Sequence, residues 1–290
     1  MVHTPQVARD AAHLQPTEAA PRAAASLTAG PGAKLTRLHT LALPGFPRAL
    51  AFNERTDRLY VLLGDESTAP AIRVFAAHSV TAVTTISLPV SADPSRLAID
   101  DSLNQVYVLD APNRRVFVVG GNTNTLLGQP ISIGAAATDL AVNSASHRVY
   151  VVHQPGFVDT IDGVRRLVVA IATVPSATFG GIAVHTFTQF VYVVNLSGHV
   201  HILSPDGQRF SSTTIPVGAG PDAVAINPAG SRLVVGNRTS RSLSIINTAT
   251  FSVIATVPVD GSPDWWQSIH RTIVSTSACR ASARCRWSTA

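Results

Sequence analysis

The sequence predicts an all-β fold, a β-propeller of four-stranded antiparallel blades, on three observations. A short apolar strand with a central alanine recurs at Ala51, Ala98, Ala141, Ala183 and Ala225, spaced 47, 43, 42 and 42 residues. A second strand, centred on Tyr60, Tyr107, Tyr150, Tyr192 and Val234, repeats with the same spacings. Charged residues make up only 13% of the 290-residue chain, with Lys34 its single lysine and Met1 its single methionine, against roughly 25% charge in an average globular protein. Two independent anchors with one period establish a repeat architecture. About forty residues with room for four strands is the size of one propeller blade.

Each element has its own justification. Every copy opens with an apolar run ending in a polar residue: Asn53, Asp100, Asn143, His185 and Asn227. A polar turn and the tyrosine-centred strand follow. In the fifth copy four strands are expected over 223–227, 232–237, 242–247 and 252–258, broken at Pro228-Ala229-Gly230, Arg238-Thr239-Ser240 and Thr248-Ala249-Thr250, residues that favour turns. Val, Ile, Thr and Tyr dominate the strands, as a pleated, half-buried surface favours. Inner strands crowd around the central channel, so a small alanine there permits close approach. Blades are expected to begin near 49, 96, 139, 181 and 223, giving five complete blades of an expected six or seven.

Tyr192-Val193-Val194-Asn195 resembles the Tyr-Val-Thr-Asn signature of the YVTN β-propeller repeat family. Ser244-Ile245-Ile246-Asn247-Thr248-Ala249-Thr250 is similar to that family's Val-Ile-Asp-Thr-Ala-Thr turn, with Asn for Asp. Ile215-Pro216-Val217-Gly218 before Pro221-Asp222, and Val257-Pro258-Val259-Asp260-Gly261 before Pro263-Asp264, resemble its inter-blade linker. The likeness covers about 50 to 264 and is weakest in the third copy, where Asp159-Thr160-Ile161-Asp162-Gly163 replaces the usual turn. It implies a WD40-like propeller of about seven blades, of a kind common in exported bacterial or archaeal proteins that bind something at a propeller face. Related propellers include lactone hydrolases and quinoprotein-like redox enzymes, and fold alone does not choose among them.

The ends differ from the repeats. Residues 1–34 read as a disordered leader without a signal peptide's apolar core, and 37–43 resembles a blade's fourth strand. The propeller is assigned to 35–264. The sixth copy starts on schedule at Pro263-Asp264, but Trp265-Trp266-Gln267 stands where an apolar strand belongs, and no repeat is recognisable from 265 to 290. That stretch is an aberrant basic tail. A frameshift near codon 265, truncating the propeller, accounts for it, and a natural divergent tail is the alternative; reading the gene in its other frames distinguishes them. An open ring would expose an apolar face and an unpaired edge, which favour aggregation or partner capture.

The formal charge of +5 belongs to these ends. The tail holds Arg271, Arg280, Arg284 and Arg286 and no acid; the leader holds three basic residues against two acidic ones. Residues 35–264 carry 15 of each sign, so the electrostatic case for specific nucleic-acid binding falls away. Both cysteines, Cys279 and Cys285, lie in the tail, which excludes a disulfide within the repeats. No apolar run reaches the roughly 18 residues of a membrane span.

Candidate chemistry is sparse. His199 and His201 share one side of a strand and could ligate a metal with His185, or be ordinary strand histidines. Asp100-Asp101 and Asp159/Asp162 could be paired carboxylates or turn residues. Gly120-Gly121-Asn122 and Gly180-Gly181 lack a following helix and read as turns and blade entries. Asn237-Arg238-Thr239 fits a glycosylation sequon. His185, Asp100 and Asn227 are equivalent positions that would have to converge in an enzyme. No catalytic, metal or cofactor residue is assigned. The expected function is a non-enzymatic binding or scaffold propeller holding a protein, a polysaccharide or a small ligand at one face; the alternative is a lactonase or quinoprotein-like enzyme.

Overall fold

Across the described residues, the alternation of apolar and polar positions resolves into strands joined by turns. The computed structural model describes residues 43–64, 69–77, 81–227 and 229–259; the leader, most of 37–43 and the tail from 260 lie outside the described residues. Blade 1 comprises β1 (Pro47–Asn53), β2 (Arg58–Leu63), β3 (Ala71–Ala76) and β4 (Thr81–Ser87). Blade 2 comprises β5 (Arg96–Asp100), β6 (Gln105–Asp110), β7 (Arg115–Gly120) and a fourth strand split into β8 (Thr125–Leu126) and β9 (Ile131–Ser132). Blade 3 comprises β10 (Ala137–Asn143), β11 (Arg148–His153), β12 (Phe157–Asp162) and β13 (Leu167–Thr173). Blade 4 comprises β14 (Phe179–Val184), β15 (Val191–Asn195), β16 (His199–Leu203) and β17 (Phe210–Pro216). Blade 5 comprises β18 (Pro221–Ile226), β19 (Arg232–Asn237), β20 (Ser242–Asn247) and β21 (Ser252–Pro258).

Each sheet pairs its strands antiparallel in chain order, as a meander. In blade 2, β8 and β9 both pair with β7. The split falls at Gly128, with φ +69°, and Pro130, which has no N–H to give to a ladder. The fourth blade-5 strand and the two before it match the sequence expectation, while β18 begins two residues early, at Pro221.

Packing explains the repeat. Tyr60, Tyr107, Tyr150 and Tyr192 are fully buried. Because strand side chains alternate, the tyrosine and its neighbours at ±2 face the following blade, and the flanking residues face the preceding one. Tyr107, Leu109 and Val118 of blade 2 thus pack on Leu140, Val149 and Val151 of blade 3. Tyr150 and Val152 meet Ile182, Val191 and Val193 of blade 4. Tyr192, Val194 and Val200 meet Val224, Leu233 and Ile246 of blade 5. The core is therefore a series of seals between blades, each buried side chain of this size contributing about 2 kcal/mol.

Inner strands come close enough to need small residues. A Cβ at Gly181 would lie 2.9 Å from the carbonyl oxygen of Asp222, and one at Gly180 would lie 3.1 Å from the Asp222 Cα. These glycines are the blade entry the sequence suggested, at the point where β14 and β18 approach.

Candidate functional site

The inner strands β1, β5, β10, β14 and β18 line one cavity of about 290 Å³. Its waist is apolar, formed by Leu50, Phe52, Leu97, Leu140, Ile182 and Val224 among others. Its charges sit at the ends. Arg48, Arg96 and Asp139 line it where the inner strands begin, and Glu54, Asp101 and Ser144 line it where they end.

Two of the first group, Arg48 and Asp139, sit at irregularities in the ladders. The β1–β2 register shifts between Pro47 and Ala49, and the β10–β11 register shifts between Ala137 and Asp139; such bulges redirect a side chain. The Arg48 guanidinium pairs with Asp93, and its Nε donates to the Gly64 carbonyl at 2.9 Å. Arg96 Nε lies 3.6 Å from Asp139 Oδ1. Asp139 also accepts from its neighbour Leu140 N at 2.9 Å and from Ile182 N at 3.3 Å. One carboxylate thus connects β5, β10 and β14. Burial raises the Asp139 pKa, with the Arg96 charge and the two backbone donors opposing it. Arg96 and Asp139 sit two residues before the repeated alanine, where the other copies have Ala49, Gly181 and Ala223. Sequence reasoning missed them; the signal was a charge pair at an otherwise small-residue position.

The residues that stood out in the sequence do other work. Asn53, Asp100, Asn143, His185 and Asn227 are equivalent, as expected, but each caps the turn that follows it. Asn53 Oδ1 accepts from Thr56 N, Asn143 Oδ1 from Ala145 N, and Asn227 Oδ1 from Arg232 N. Asp100 Oδ1 accepts from Ser102 N and Leu103 N at 3.0 Å each, and its Oδ2 lies 2.9 Å from His147 Nδ1. His185 Nδ1 accepts from Phe187 N and Thr188 N. Side-chain acceptors of this kind hold a turn by satisfying backbone N–H groups. The turns close with a left-handed residue, Asp57, Asn104, His147 or Gln189 in blades 1 to 4.

The histidine trio separates. His185 follows β14 near Phe190, whereas His199 pairs with Asn195 at the opposite end of the sheet. His201 is buried edge-on against Phe179 and Phe210; burial and then the nearby His199 lower its pKa. Among the described residues no cluster of three metal-ligating side chains forms. Asp159 and Asp162 point to opposite faces of β12. Asp159 is buried with its carboxylate 3.1 Å from His153 Nε2, while Asp162 caps the turn at Val164 and Arg165. Asp101 donates its N–H to Ser144 Oγ at 3.3 Å, and Gly121 turns beneath Asn104, whose side chain a Cβ would strike. Asn237 of the sequon is fully buried, its amide donating to Ser242 Oγ and Ser244 Oγ. Cys279 and Cys285 lie outside the described residues.

Neither a protein-family model nor a curated protein sequence matches the chain. Among solved structures it is similar to Kuenenia stuttgartiensis hydrazine synthase, at 12% identity and a TM-score of 0.53, covering 79% of this chain and 90% of that one. At that identity the likeness speaks for the fold. With five antiparallel sheets in meander order around a common cavity, the chain is a β-propeller.

Proposed function

We propose that this chain is a ligand-binding propeller of the YVTN repeat kind, and that the ligand is a small molecule with an apolar body and a charged or polar end, held in the channel. The supporting observation is the cavity itself. It has an apolar waist and places Arg48, Arg96 and Asp139, from three different blades, at one end. Its volume of about 290 Å³ is at the lower edge of the range for small-molecule sites, roughly 300–1,000 Å³. Such sites pair a mostly apolar lining with a few polar groups that orient the ligand.

The YVTN reading is supported by what its residues do. Tyr192 seals blade 4 against blade 5, and Asn195 Oδ1 accepts from Thr178 N and Ser197 N, tying the strand end to the neighbouring turns. Asn247 Oδ1 accepts from Ala249 N within the Asn-Thr-Ala-Thr turn.

The test is a thermal-shift screen of amphipathic carboxylates and amines, followed by calorimetry on any hit. Leu50, 48% exposed and lining the cavity, is the place for a plug. Leu50→Trp is expected to abolish binding and Arg96→Ala to weaken it about tenfold or more, as loss of a charge-assisted contact does. Binding indifferent to the plug would place the ligand elsewhere and overturn the reading.

A further inference from the structure

Asp139 lines the channel with Arg48 and Arg96 at the end where the inner strands begin. Each of its oxygens has a backbone donor, Leu140 N at 2.9 Å for Oδ1 and Ile182 N at 3.3 Å for Oδ2. Its contact with Arg96 is looser. The Nε–Oδ1 separation of 3.6 Å makes an ion pair too long for a hydrogen bond. Arg96 Nη1 donates to the Ser95 carbonyl at 3.1 Å, and the side chain stays 33% exposed. A guanidinium has five N–H donors, so Arg96 can meet an incoming anion while Asp139 keeps its backbone donors.

An anion seated on Arg96 stands beside the Asp139 carboxylate. Two negative charges sharing a desolvated site are unfavourable, and one of them takes a proton. Asp139 is prepared to do so. Burial already raises its pKa, with the Arg96 charge and the two backbone donors opposing. The anion offsets the Arg96 charge and adds a like one, and both effects push the Asp139 pKa further up. Once protonated, the carboxyl has an O–H to give and can donate to the anion it would otherwise repel.

The other groups around Asp139 do not reverse this. On β11, Val152 stands opposite it, and the adjacent His153 is engaged with the Ala135 carbonyl and Asp159. Asp110 on β6 is paired with Arg115. β14 brings the backbone of Ile182. From β1 comes Arg48, paired with Asp93. Asp222 of β18, packed on Gly180 and Gly181, is a further negative charge and acts in the same direction as the anion.

We propose that the channel ligand is an anion, and that Asp139 takes up a proton as the anion seats on Arg96, so that acid favours binding. This rests on the channel being the ligand site, and adds the ligand's charge and its coupling to pH. The free protein's Asp139 is ionised above its raised pKa, and the complex has a higher pKa still. Below both values the carboxyl is protonated either way and affinity is at its maximum. Between them each ligand brings a proton, and affinity falls by up to about tenfold per pH unit as pH rises. Above both, the carboxylate is charged throughout and affinity rests at its minimum.

Octanesulfonate is the probe, because its headgroup stays ionised and cannot itself supply the pH dependence. Octanol and octylammonium carry the same chain with no charge and with the opposite one. Calorimetry of the full-length wild type on the falling limb, in two buffers of different ionisation enthalpy, is expected to show uptake approaching one proton per sulfonate bound and none for octanol. Asp139→Asn, which keeps a neutral donor, is expected to hold the acid-limit affinity at every pH with no proton uptake. Arg96→Ala is expected to weaken sulfonate binding about tenfold or more and to remove its pH dependence. The wild-type proton count decides the matter by itself should Asp139→Asn not fold. Sulfonate binding without proton uptake overturns the proposal and leaves the channel reading standing, as does uptake that persists in Asp139→Asn, or octylammonium bound in preference to sulfonate. Failure of all three probes to bind at any pH overturns the channel reading and this inference with it.

Discussion

The two ends of the five inner strands make different use of polar residues. At the end where each strand runs into its turn, every copy carries a polar acceptor, from Asn53 to Asn227, and every one accepts a backbone N–H from the following turn or, at Asn227, from the first residue of the next strand. At the end where each strand begins, the copies disagree: Arg96 and Asp139 stand where Ala49, Gly181 and Ala223 stand elsewhere. Uniformity across copies marks a demand that every blade shares, namely a turn whose N–H groups need partners. Departure from uniformity marks a place where one blade does something its neighbours do not. The conspicuous carboxylate and imidazole belong to the first kind, and the channel charges to the second.

The sharpest challenge to that contrast is Asp100→Ala. It removes the acceptor of two turn N–H groups and the partner of His147 from a fully buried site, and is expected to cost about 3 kcal/mol in urea unfolding. Ligand binding in the channel is expected to persist in the fraction that folds. A variant of unchanged stability would show that the caps are not structural. Arg96→Ala is expected to be smaller, about 1–2 kcal/mol, because it strips the cation from a largely buried Asp139 that keeps its two backbone donors.

Asp139 separates the ends by pH. Its pKa is raised in the folded protein by burial, so the folded state holds the proton more tightly than the unfolded state. Its contribution is full below the ordinary Asp value of about 3.9, and is lost as pH rises through the raised folded value. Unfolding free energies measured across the acid range should show that decline in the wild type. Asp139→Asn should flatten it and be the more stable variant above it. An unchanged slope would mean the declining term comes from another group.

The smallest effects come from the seals between the ends. Burial pushes the Tyr150 and Tyr192 hydroxyls up to about 12, but among the described residues only one has a partner: Tyr150 donates to the Pro205 carbonyl at 2.6 Å, and Tyr192 Oη has none. Tyr150→Phe is expected to cost about 1 kcal/mol. Tyr192→Phe should be neutral or slightly stabilising, since it removes an unsatisfied buried hydroxyl. Equal losses on thermal melting would show that ring packing, not the hydroxyl, differs between the two blades.

The blade plan was legible because it is local and repeated. Ala141 and Tyr150 pair directly across β10 and β11, a relation fixed by strand alternation and a short turn, so spacing alone announced it. The split fourth strand of blade 2 was less visible, since Pro130 forbids a ladder bond only once a neighbouring strand is in place. The site was not legible. Arg96 and Asp139 are 43 residues apart and meet only because consecutive inner strands pack side by side, and nothing in either residue's neighbourhood points to the other. The histidines failed for the converse reason: His185 and His199 are close in sequence, but β15 runs the length of the sheet between them and leaves them at opposite ends.

By itself, then, the sequence determined the all-β class, the period, the inner alanines and the tyrosine seals, because hydrophobic alternation and turn chemistry act over a few residues and recur in each copy. Only the tertiary structure decided which polar residues face the channel, and which of them merely hold a turn. That choice depends on how bulges aim a side chain and which strand of another blade it meets, and neither is encoded within the span of a single repeat.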